Sequence, residues 1–330
     1  MLSFTTDDLR PQDRFDHWCE VRGKTLFGVT IELERPQRSD FYGRFSARGV
    51  GGAIVSDMQA SSYRIGRTNA DIARMSGNSL CIGLQVRGPG MLETGRGSRQ
   101  YVQAGSLTIS HSDLPFQATP ERSDGFEYRM LKIPLSADLL VGARGHDLFA
   151  AGLPHTAPQA RPLEALFMAL TRADVPPTDA ESDVVHAARL ALIIRGRLAA
   201  GSVEGRAALR AGYLHAARQI LARDLRRPDL SPERVAAELG ISLRQVHVLF
   251  EPTGQSFSRT LTTLRVREAA QLLRARPSRP VADVAFHCGF ESLSAFYRAF
   301  QGVYGMTPRD LRQAESEPRR TRPQPEAAMA

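Results

Sequence analysis

Cysteine is scarce in this chain of 330 residues and occurs only as Cys19, Cys81 and Cys288. Three widely spaced cysteines exclude a disulfide framework and form no paired zinc motif. Long apolar runs are also missing, so no segment is predicted to span a membrane. The first residues, MLSFTTDDLR, carry acids where a secretory signal has an apolar core. These absences predict a cytoplasmic protein, and the length allows two domains of ordinary size.

Lysine is almost absent, because 41 of the 43 basic residues are arginines. The net charge of +8 is unevenly distributed: residues 201–330 hold 20 arginines and 13 acids, a balance of +7, which leaves +1 for residues 1–200. A nearly neutral first part joined to a basic second part indicates that the second part meets a polyanion.

Sequence motifs of common enzymes are missing as well. No GxSxG, GxGxxG, phosphate-binding loop or CxxC occurs in the chain. We therefore predict no catalytic residue and no cofactor.

The first 145 residues contain short segments rich in β-branched and aromatic residues, separated by turns such as GPG and TGRGS. This pattern is typical of an antiparallel sandwich or barrel. A helix over about residues 11–22 is expected before the strands. The predicted strands are residues 27–33, 52–56, 79–86, 106–110 and 126–133.

Helical periodicity replaces this pattern from about residue 135. LSADLL and the segments 163–172 and 183–199 are predicted to be helices, with Pro176 and Pro177 between the last two. We expect an α+β protein of two domains. Their predicted limits are a first domain at 1–200 (barrel about 1–145, helices about 146–200), a linker at 201–205, an all-helical domain at 206–312 and a disordered tail at 313–330.

Two segments about fifty residues apart repeat one pattern: LSPERVAAELGISLRQVHVLF and RPVADVAFHCGFESLSAFYRAF. In each, a short helix ends at a glycine, Gly240 or Gly289, which allows the positive φ of a tight turn. A serine, Ser242 or Ser292, then begins a second helix with one apolar stripe. The pattern predicts two helix-turn-helix units joined by a helix over residues 257–275. Two ordinary helical hairpins are the alternative, but repetition in the basic half favours DNA binding.

Residues 206–312 resemble the C-terminal DNA-binding domain of the AraC/XylS family of bacterial transcription regulators. The resemblance rests on GFESLSAFYRAFQGVYGMTPRDLR at 289–312 and, in the joining helix, on Arg265, Ala269 and Leu272–Leu273. QAGSLTISHSDLPFQ and FEYRMLKIP resemble the cupin-like sensor domain that part of the family carries. The predicted N-terminal fold is therefore a cupin-like β-barrel or jelly roll with flanking helices.

The resemblance implies that the second helix of each unit enters the major groove of double-stranded DNA. The base-reading candidates face away from the apolar stripes: Arg244, Gln245, His247 and Val248 in the first unit, and Ser294, Tyr297 and Arg298 in the second. Arg298 is the strongest candidate in the second unit, and a solvated arginine or a phosphate contact is the alternative for Arg244 and Arg298. The candidates for phosphate contacts are Ser242, Arg259, Arg265, Arg274, Arg276, Ser292 and Arg309.

The N-terminal domain is expected to bind a small molecule instead of catalysing a reaction. Cupin metalloenzymes present an HxH pair, whereas no two of the eight histidines here are separated by one residue. His111 is the only histidine on a predicted barrel strand, where a lone histidine is typical of a structural role, so we predict no metal site. No effector-binding residue is assigned. The aromatic residues that line a pocket or form core are Trp18, Phe41, Tyr63, Tyr101, Phe116 and Tyr128.

The resemblance also implies the function: a DNA-binding regulator, interpreted as an activator, that contacts RNA polymerase and responds to a small-molecule effector. The apolar helix at 183–199 is expected to pack on the barrel and to help form a homodimer, although a purely internal helix explains its composition equally well. Two other functions stay open. One is a regulator without an effector whose barrel only dimerises. The other is a barrel enzyme tethered to DNA, for which the sequence offers neither a nucleophile nor a metal constellation.

Overall fold

The structure, a computed structural model, describes residues 1–94, 97–140, 142, 147–153, 160–172 and 178–316. It divides into two compact units, Met1–Ala216 and a second unit that begins at Ala217. All strands of the described residues lie in the first unit, and the second is helical. The predicted α+β fold with a β-rich N-terminal domain and an all-α C-terminal domain is therefore confirmed.

The N-terminal domain contains two antiparallel sheets. The larger sheet has the strand order β1-β3-β4-β11-β6-β9-β12, and the smaller has the order β2-β5-β10-β7-β8. The strands are β1 (Leu2–Thr5), β2 (Thr30–Glu32), β3 (Gly43–Val50), β4 (Ala53–Ala60), β5 (Arg64–Arg67), β6 (Ser79–Arg87), β7 (Gly90–Thr94), β8 (Arg99–Val102), β9 (Leu107–His111), β10 (Phe116–Pro120), β11 (Phe126–Pro134) and β12 (Ala151–Gly152).

Five α-helices of this domain lie before, between and after the strands. They are α1 (Pro11–Trp18), α2 (Asn69–Arg74), α3 (Ala137–Leu140), α4 (Ala160–Thr171) and α5 (Ala180–Ile194). The chain continues from α1 into a π-helix, Cys19–Phe27, which ends at Gly28 with φ of 59°. Because this helix runs to Phe27, the strand predicted at 27–33 is only Thr30–Glu32.

The larger sheet has a buried apolar core on one face and a cavity on the other. Along β11, Leu131 and Ile133 join a buried cluster with Leu163 and Phe167 of α4. The alternate side chains of the same strand, including Met130, line a cavity that the smaller sheet closes on the other side. This division follows from the period of two in a strand, which sends successive side chains to opposite faces.

Helix α5 lies inside this core. Most of its apolar side chains are at most 9% exposed within one copy of the chain, whereas Val185 and Ile194 are half-buried. The structure therefore favours the alternative of a largely internal helix, and its predicted use as a dimer contact stays a prediction. The helix also ends at Ile194 and not at residue 199, because Gly196 adopts a φ of 66°.

The boundary between the domains differs from the predicted linker at 201–205. Helix α6 (Val203–Asp224) begins within that segment, because the Ser202 hydroxyl accepts a hydrogen bond from the Gly205 N–H at 2.9 Å. Ser202 therefore acts as an N-terminal cap in place of a flexible link. The two compact units divide inside this helix, after Ala216.

The helices of the C-terminal domain follow the predicted repeat. They are α7 (Pro232–Leu239), α8 (Leu243–Phe250), α9 (Phe257–Ala275), α10 (Val281–His287), α11 (Leu293–Tyr304) and α12 (Pro308–Ser316). The predicted joining helix coincides with α9. Gln313–Ser316 of the predicted tail belong to α12. The rest of that tail, together with His146, His155, Pro176 and Pro177, lies outside the described residues.

Candidate DNA interface and ligand cavity

The two helix-turn-helix units have the same turn geometry. Gly240 and Gly289 adopt φ of 66° and 80°, in the left-handed region that favours glycine. In the first unit the Ile241 N–H donates to the Ala236 carbonyl at 3.0 Å, and in the second the Phe290 N–H donates to the Ala285 carbonyl at 3.2 Å. These bonds close the same helix-ending motif. The repeat in the sequence thus corresponds to a repeat in structure.

Helix α8, the second helix of the first unit, is amphipathic. Val246, Leu249 and Phe250 are buried, whereas Arg244, Gln245 and His247 are exposed. Val248 is half-buried. The Gln245 side-chain oxygen accepts from the Ser242 N–H at 2.8 Å, and the Ser242 hydroxyl accepts from the Gln245 N–H at 3.2 Å. Gln245 therefore stabilises the start of the helix and keeps only its amide NH2 for an outside partner.

Helix α11, the second helix of the second unit, presents a more polar outer face. Phe296 and Phe300 are fully buried, and Ser294, Tyr297 and Arg298 are exposed. Among the described residues, neither Arg298 nor Arg244 has an ion pair or a side-chain hydrogen bond. Both guanidinium groups are therefore available to a ligand, and each can present two parallel donors to a guanine edge.

Most of the predicted phosphate contacts lie on the surface. Arg259, Arg274, Arg276 and Arg309 are exposed. Ser242 and Ser292 are exposed as well, and each hydroxyl accepts a backbone N–H of its helix at 3.2 Å. A capping serine keeps its own O–H donor for a phosphate oxygen.

Arg265 differs from the other predicted phosphate contacts. Its Nε donates to the Leu225 carbonyl at 2.8 Å, and a terminal nitrogen donates to the Arg227 carbonyl at 2.6 Å. Burial lowers the pKa of its guanidinium from the ordinary value. Arg265 thus ties α9 to the segment after α6, which argues against its predicted contact with phosphate. The sequence could not show this, because the acceptors are backbone groups about forty residues away.

The N-terminal domain contains a partly open cavity of about 220 Å³ between its two sheets. Met58, Tyr128 and Met130 line it from the larger sheet, and Leu92 and Phe116 line it from the smaller one. Three of the six aromatic candidates, Tyr63, Phe116 and Tyr128, are in its wall.

The other three aromatic candidates lie elsewhere. Trp18 and Phe41 do not line the cavity and are fully buried behind Tyr63, in the same aromatic cluster. Tyr101 is 48% exposed and hydrogen-bonds Glu121.

An arginine–aspartate pair is buried at the cavity wall. The Arg67 guanidinium donates to the carbonyls of Phe27 and Gly28, each at 2.6 Å, and lies 3.4 Å from a carboxylate oxygen of Asp113. Burial alone would raise the pKa of Asp113, but hydrogen bonds from the Gly77 and Asn78 N–H groups and from two serines outweigh it. They hold the pKa of this carboxyl well below its usual range, so Asp113 is ionised and balances one positive charge.

His111 also lines the cavity and is 4% exposed. Its Nδ1 accepts from the Asp113 N–H at 3.0 Å, and its Nε2 lies 3.3 Å from the Asn78 side-chain oxygen. With both ring nitrogens engaged, the contacts agree with a structural role. Among the residues that the structure describes, no group of three or more His, Cys, Asp and Glu side chains is placed to hold a metal ion.

Arg22 and Lys132 were not predicted as cavity residues. Arg22 belongs to the π-helix, and its guanidinium lies 4.8 Å from the centre of the Phe27 ring. Lys132 lies on β11, two residues after Met130, and is one of only two lysines in the chain. A signal for Lys132 existed in the alternation of FEYRMLKI, whereas nothing in the sequence distinguishes Arg22 from forty other arginines.

Comparison with known proteins identifies both domains. The model of an AraC-like ligand binding domain matches residues 64–194, and that of a helix-turn-helix domain matches residues 235–314. The first match covers most strands of the cavity wall, and the second covers both glycine turns. Within the described residues, no helix has the length and apolar character needed to cross a membrane.

Three similar proteins are transcriptional activators by name. The transcriptional activator NphR from Rhodococcus sp is 25% identical over 323 residues, which are 93% of this chain and 91% of that protein. The activator RhaS from Escherichia coli O157:H7 is 38% identical over 86 residues, which are 26% of this chain and 31% of that protein. The crystal structure of the AraC-like transcriptional activator CuxR covers 87% of this chain and 100% of its own, at 19% identity and a TM-score of 0.46.

Proposed function

The chain belongs to the AraC/XylS family of bacterial transcription regulators, and on this basis we propose how it acts. It activates transcription by binding DNA through both helix-turn-helix units, under the control of a small molecule held between its two sheets. Membership of the family makes it a DNA-binding transcription regulator. The activating sign, the use of both units and the effector are the proposal.

The exposed outer faces of α8 and α11 carry the DNA-binding part of the proposal. Each has one unpaired arginine, Arg244 or Arg298, on a helix whose opposite face is anchored in the core. A helix of this kind fits the major groove, and the exposed arginines around it supply phosphate contacts. One chain then reads two successive turns of the major groove, about 34 Å apart.

The cavity carries the effector part of the proposal. It is concave, partly open, mostly apolar and equipped with a few polar groups, as binding sites for small molecules usually are. A regulator whose barrel served only for dimerisation would have no need of such a space. An effector controls DNA binding if it binds two states of the protein with different affinity.

Regulators of this family bind DNA and contact RNA polymerase, and we extend both partners to this chain. Association of two copies is also part of the proposal. Because most apolar side chains of α5 are buried within one copy, we expect a homodimer to use another surface.

Footprinting on the DNA upstream of the gene and its neighbours tests the DNA-binding proposal. We expect the wild-type protein to protect two adjacent turns and to lose affinity steeply between 50 and 200 mM salt, as phosphate contacts require. Arg298→Ala should weaken one half of the footprint and leave the other.

Arg35→Ala is the matched control, because Arg35 is exposed on the N-terminal domain and its loss changes the net charge equally. It should leave both halves unchanged. Equal weakening by Arg298→Ala on the preferred site and on sites with base changes in that half would contradict base reading by this residue and would indicate a phosphate contact.

A further inference from the structure

Arg22 is the least compensated charge in the wall of the cavity. The residue is 6% exposed, and its Nε donates only to the Met58 sulfur, at 3.1 Å. One of its terminal nitrogens is buried without any hydrogen-bond partner among the described residues. No carboxylate of the described residues forms an ion pair with it. A buried guanidinium that lacks an anion is energetically unfavourable, since charged side chains are rarely buried unless they are paired.

The other cations of the cavity differ from Arg22. Arg67 donates to three backbone carbonyls and lies beside Asp113. Lys132 is only half-buried. A Cβ at Gly77 would lie 3.2 Å from the Lys132 Nζ, and the Gly77 N–H donates to Asp113 at 2.8 Å, so Lys132 lies near that carboxylate. One end of the cavity therefore contains its own anion, and the end at Arg22 does not.

The groups around Arg22 suit an acid head group. The Tyr63 hydroxyl lies 4.0 Å from the same Met58 sulfur, and the Tyr128 hydroxyl lies 3.2 Å from the Thr108 hydroxyl. Burial raises the pKa of Tyr128 to about 12, so this hydroxyl keeps its proton and can donate a hydrogen bond. Apolar side chains, including Met130, Leu92 and Phe116, form much of the remaining wall.

The size of the cavity limits the rest of the molecule. A cavity of about 150 Å³ suffices to hold benzene, and the space here is about 220 Å³. We infer that the effector is a small apolar monocarboxylate, of about one ring in size, whose carboxylate pairs with Arg22. This inference rests on the proposed function, because it names the chemical class of the molecule that the cavity takes. Arginine suits this task because its planar fork of donors matches a carboxylate.

Binding of matched acids, amides and amines to the full-length protein tests the inference. The probes are benzoate, cyclohexanecarboxylate and hexanoate, the three corresponding primary amides, and benzylamine with hexylamine. Dissociation constants come from calorimetry, with thermal unfolding as a second readout. We expect the acids to bind at least tenfold more tightly than the amides, which have the same shape without the charge, and the amines not to bind.

Two variants locate the carboxylate. Arg22→Met should weaken binding of the acids at least tenfold and leave the amides unchanged, whereas Lys132→Met should change the affinity for the acids by less than threefold. Without a ligand, Arg22→Met should unfold at the same temperature as the wild type or at a higher one, because it removes an unpaired buried charge. A merely structural arginine would instead lower that temperature.

The outcomes separate this inference from the proposed function. Equal binding of acids and amides, or preference for the amines, would overturn the acid class and leave an effector site in place. Acid binding that Lys132→Met abolishes and Arg22→Met does not would overturn the role of Arg22. Binding of none of the three series would overturn both the acid class and the cavity as the effector site, while the footprint would still decide the DNA-binding proposal.

Discussion

The two helix-turn-helix units are alike in their turns and different in their surroundings. A Cβ at Gly240 would meet no atom within 4 Å, whereas a Cβ at Gly289 would lie 2.7 Å from the Leu225 carbonyl oxygen and 3.0 Å from backbone atoms of Arg226. The first glycine is therefore required only by its φ, and the second is required also by packing. Glycine at equivalent positions of a repeated motif can thus be required for two different physical reasons.

The second helices of the two units, α8 and α11, differ in the same direction. Helix α8 has 8 residues and a reciprocal cap, and its outer face includes the half-buried Val248. Helix α11 has 12 residues and is anchored by edge-to-face and tilted contacts between aromatic rings, with the ring centre of Phe296 at 5.1 Å from that of Phe290 and 5.5 Å from that of Phe300. We expect the second unit to be the more rigid and the more selective reader of DNA.

The largest expected difference concerns the two glycines. Gly289→Ala should lower the free energy of unfolding of the C-terminal domain by about 3 kcal/mol or more, because the left-handed φ and the clash with backbone atoms add. Gly240→Ala should cost about 1 kcal/mol, from its φ alone. Urea unfolding followed by circular dichroism measures both. Fluorescence of Trp18, the only tryptophan, should show an unchanged N-terminal domain. Equal losses of unfolding free energy in the two variants would mean that the backbone φ alone determines the cost.

Arg265 supports the turn of the second unit, because the Leu225 carbonyl that it binds is the same group that lies against Gly289. Arg265→Met should destabilise the C-terminal domain by about 2–3 kcal/mol, through two lost charge-assisted hydrogen bonds. The variant should leave the salt dependence of DNA binding unchanged. Arg276→Ala, in contrast, should not affect stability. It should reduce by about 1 the slope of the logarithm of the DNA-binding constant against the logarithm of the salt concentration. A reduced slope for Arg265→Met would restore its predicted phosphate contact.

Arg244 of α8 and Arg298 of α11 allow a direct comparison of the two units in DNA binding. Arg298→Ala should cost about 1–3 kcal/mol of binding free energy on the preferred site and should relax the base preference at one position. Arg244→Ala should cost less, because the face around it includes Val248, which offers no hydrogen bond to a base edge. Gel-shift titrations on single-base variants of the footprinted site measure both. A larger loss with Arg244→Ala would reverse the proposed order of the units.

The smallest effect tests what the units share. Ser242 and Ser292 each cap their helix through one hydrogen bond of 3.2 Å. Ser242→Ala and Ser292→Ala should therefore cost a similar amount, about 1 kcal/mol each, and Thr at either position should recover most of it. Urea unfolding gives these values. A clearly larger cost at Ser292 would show that the second unit depends on its cap more than its aromatic core suggests.

The repeated local pattern explains how much could be predicted from the sequence. Glycine at the turn, serine at the cap and an apolar stripe at spacings of three and four act within a few residues, so α8, α9 and α11 were predicted closely. The strands were harder to predict, because β5, β8 and β12 are short and show only a weak alternation of apolar and polar residues. Such strands form only where a neighbouring strand provides hydrogen-bond partners.

The same distinction holds for the candidate sites. The exposed face of a helix follows from its period, which placed Arg244 and Arg298 on the surface. The cavity does not follow from any period, because it combines Arg22 from a π-helix with side chains from both sheets. The role of Arg265 depends on backbone carbonyl groups about forty residues away. Every residue has such a group, so the sequence does not show which ones Arg265 contacts.

The amino-acid sequence alone determined the two helix-turn-helix units and the basic character of the domain that carries them, because these features depend on neighbouring residues and on composition. Its motifs also carry the resemblance to the AraC/XylS family. Only the tertiary structure decided that α5 is largely internal, that Arg265 is a structural support and that Arg22 is buried with no ion pair to a carboxylate of the described residues. Each of these depends on which distant groups fill the space around a side chain, and that is set by packing.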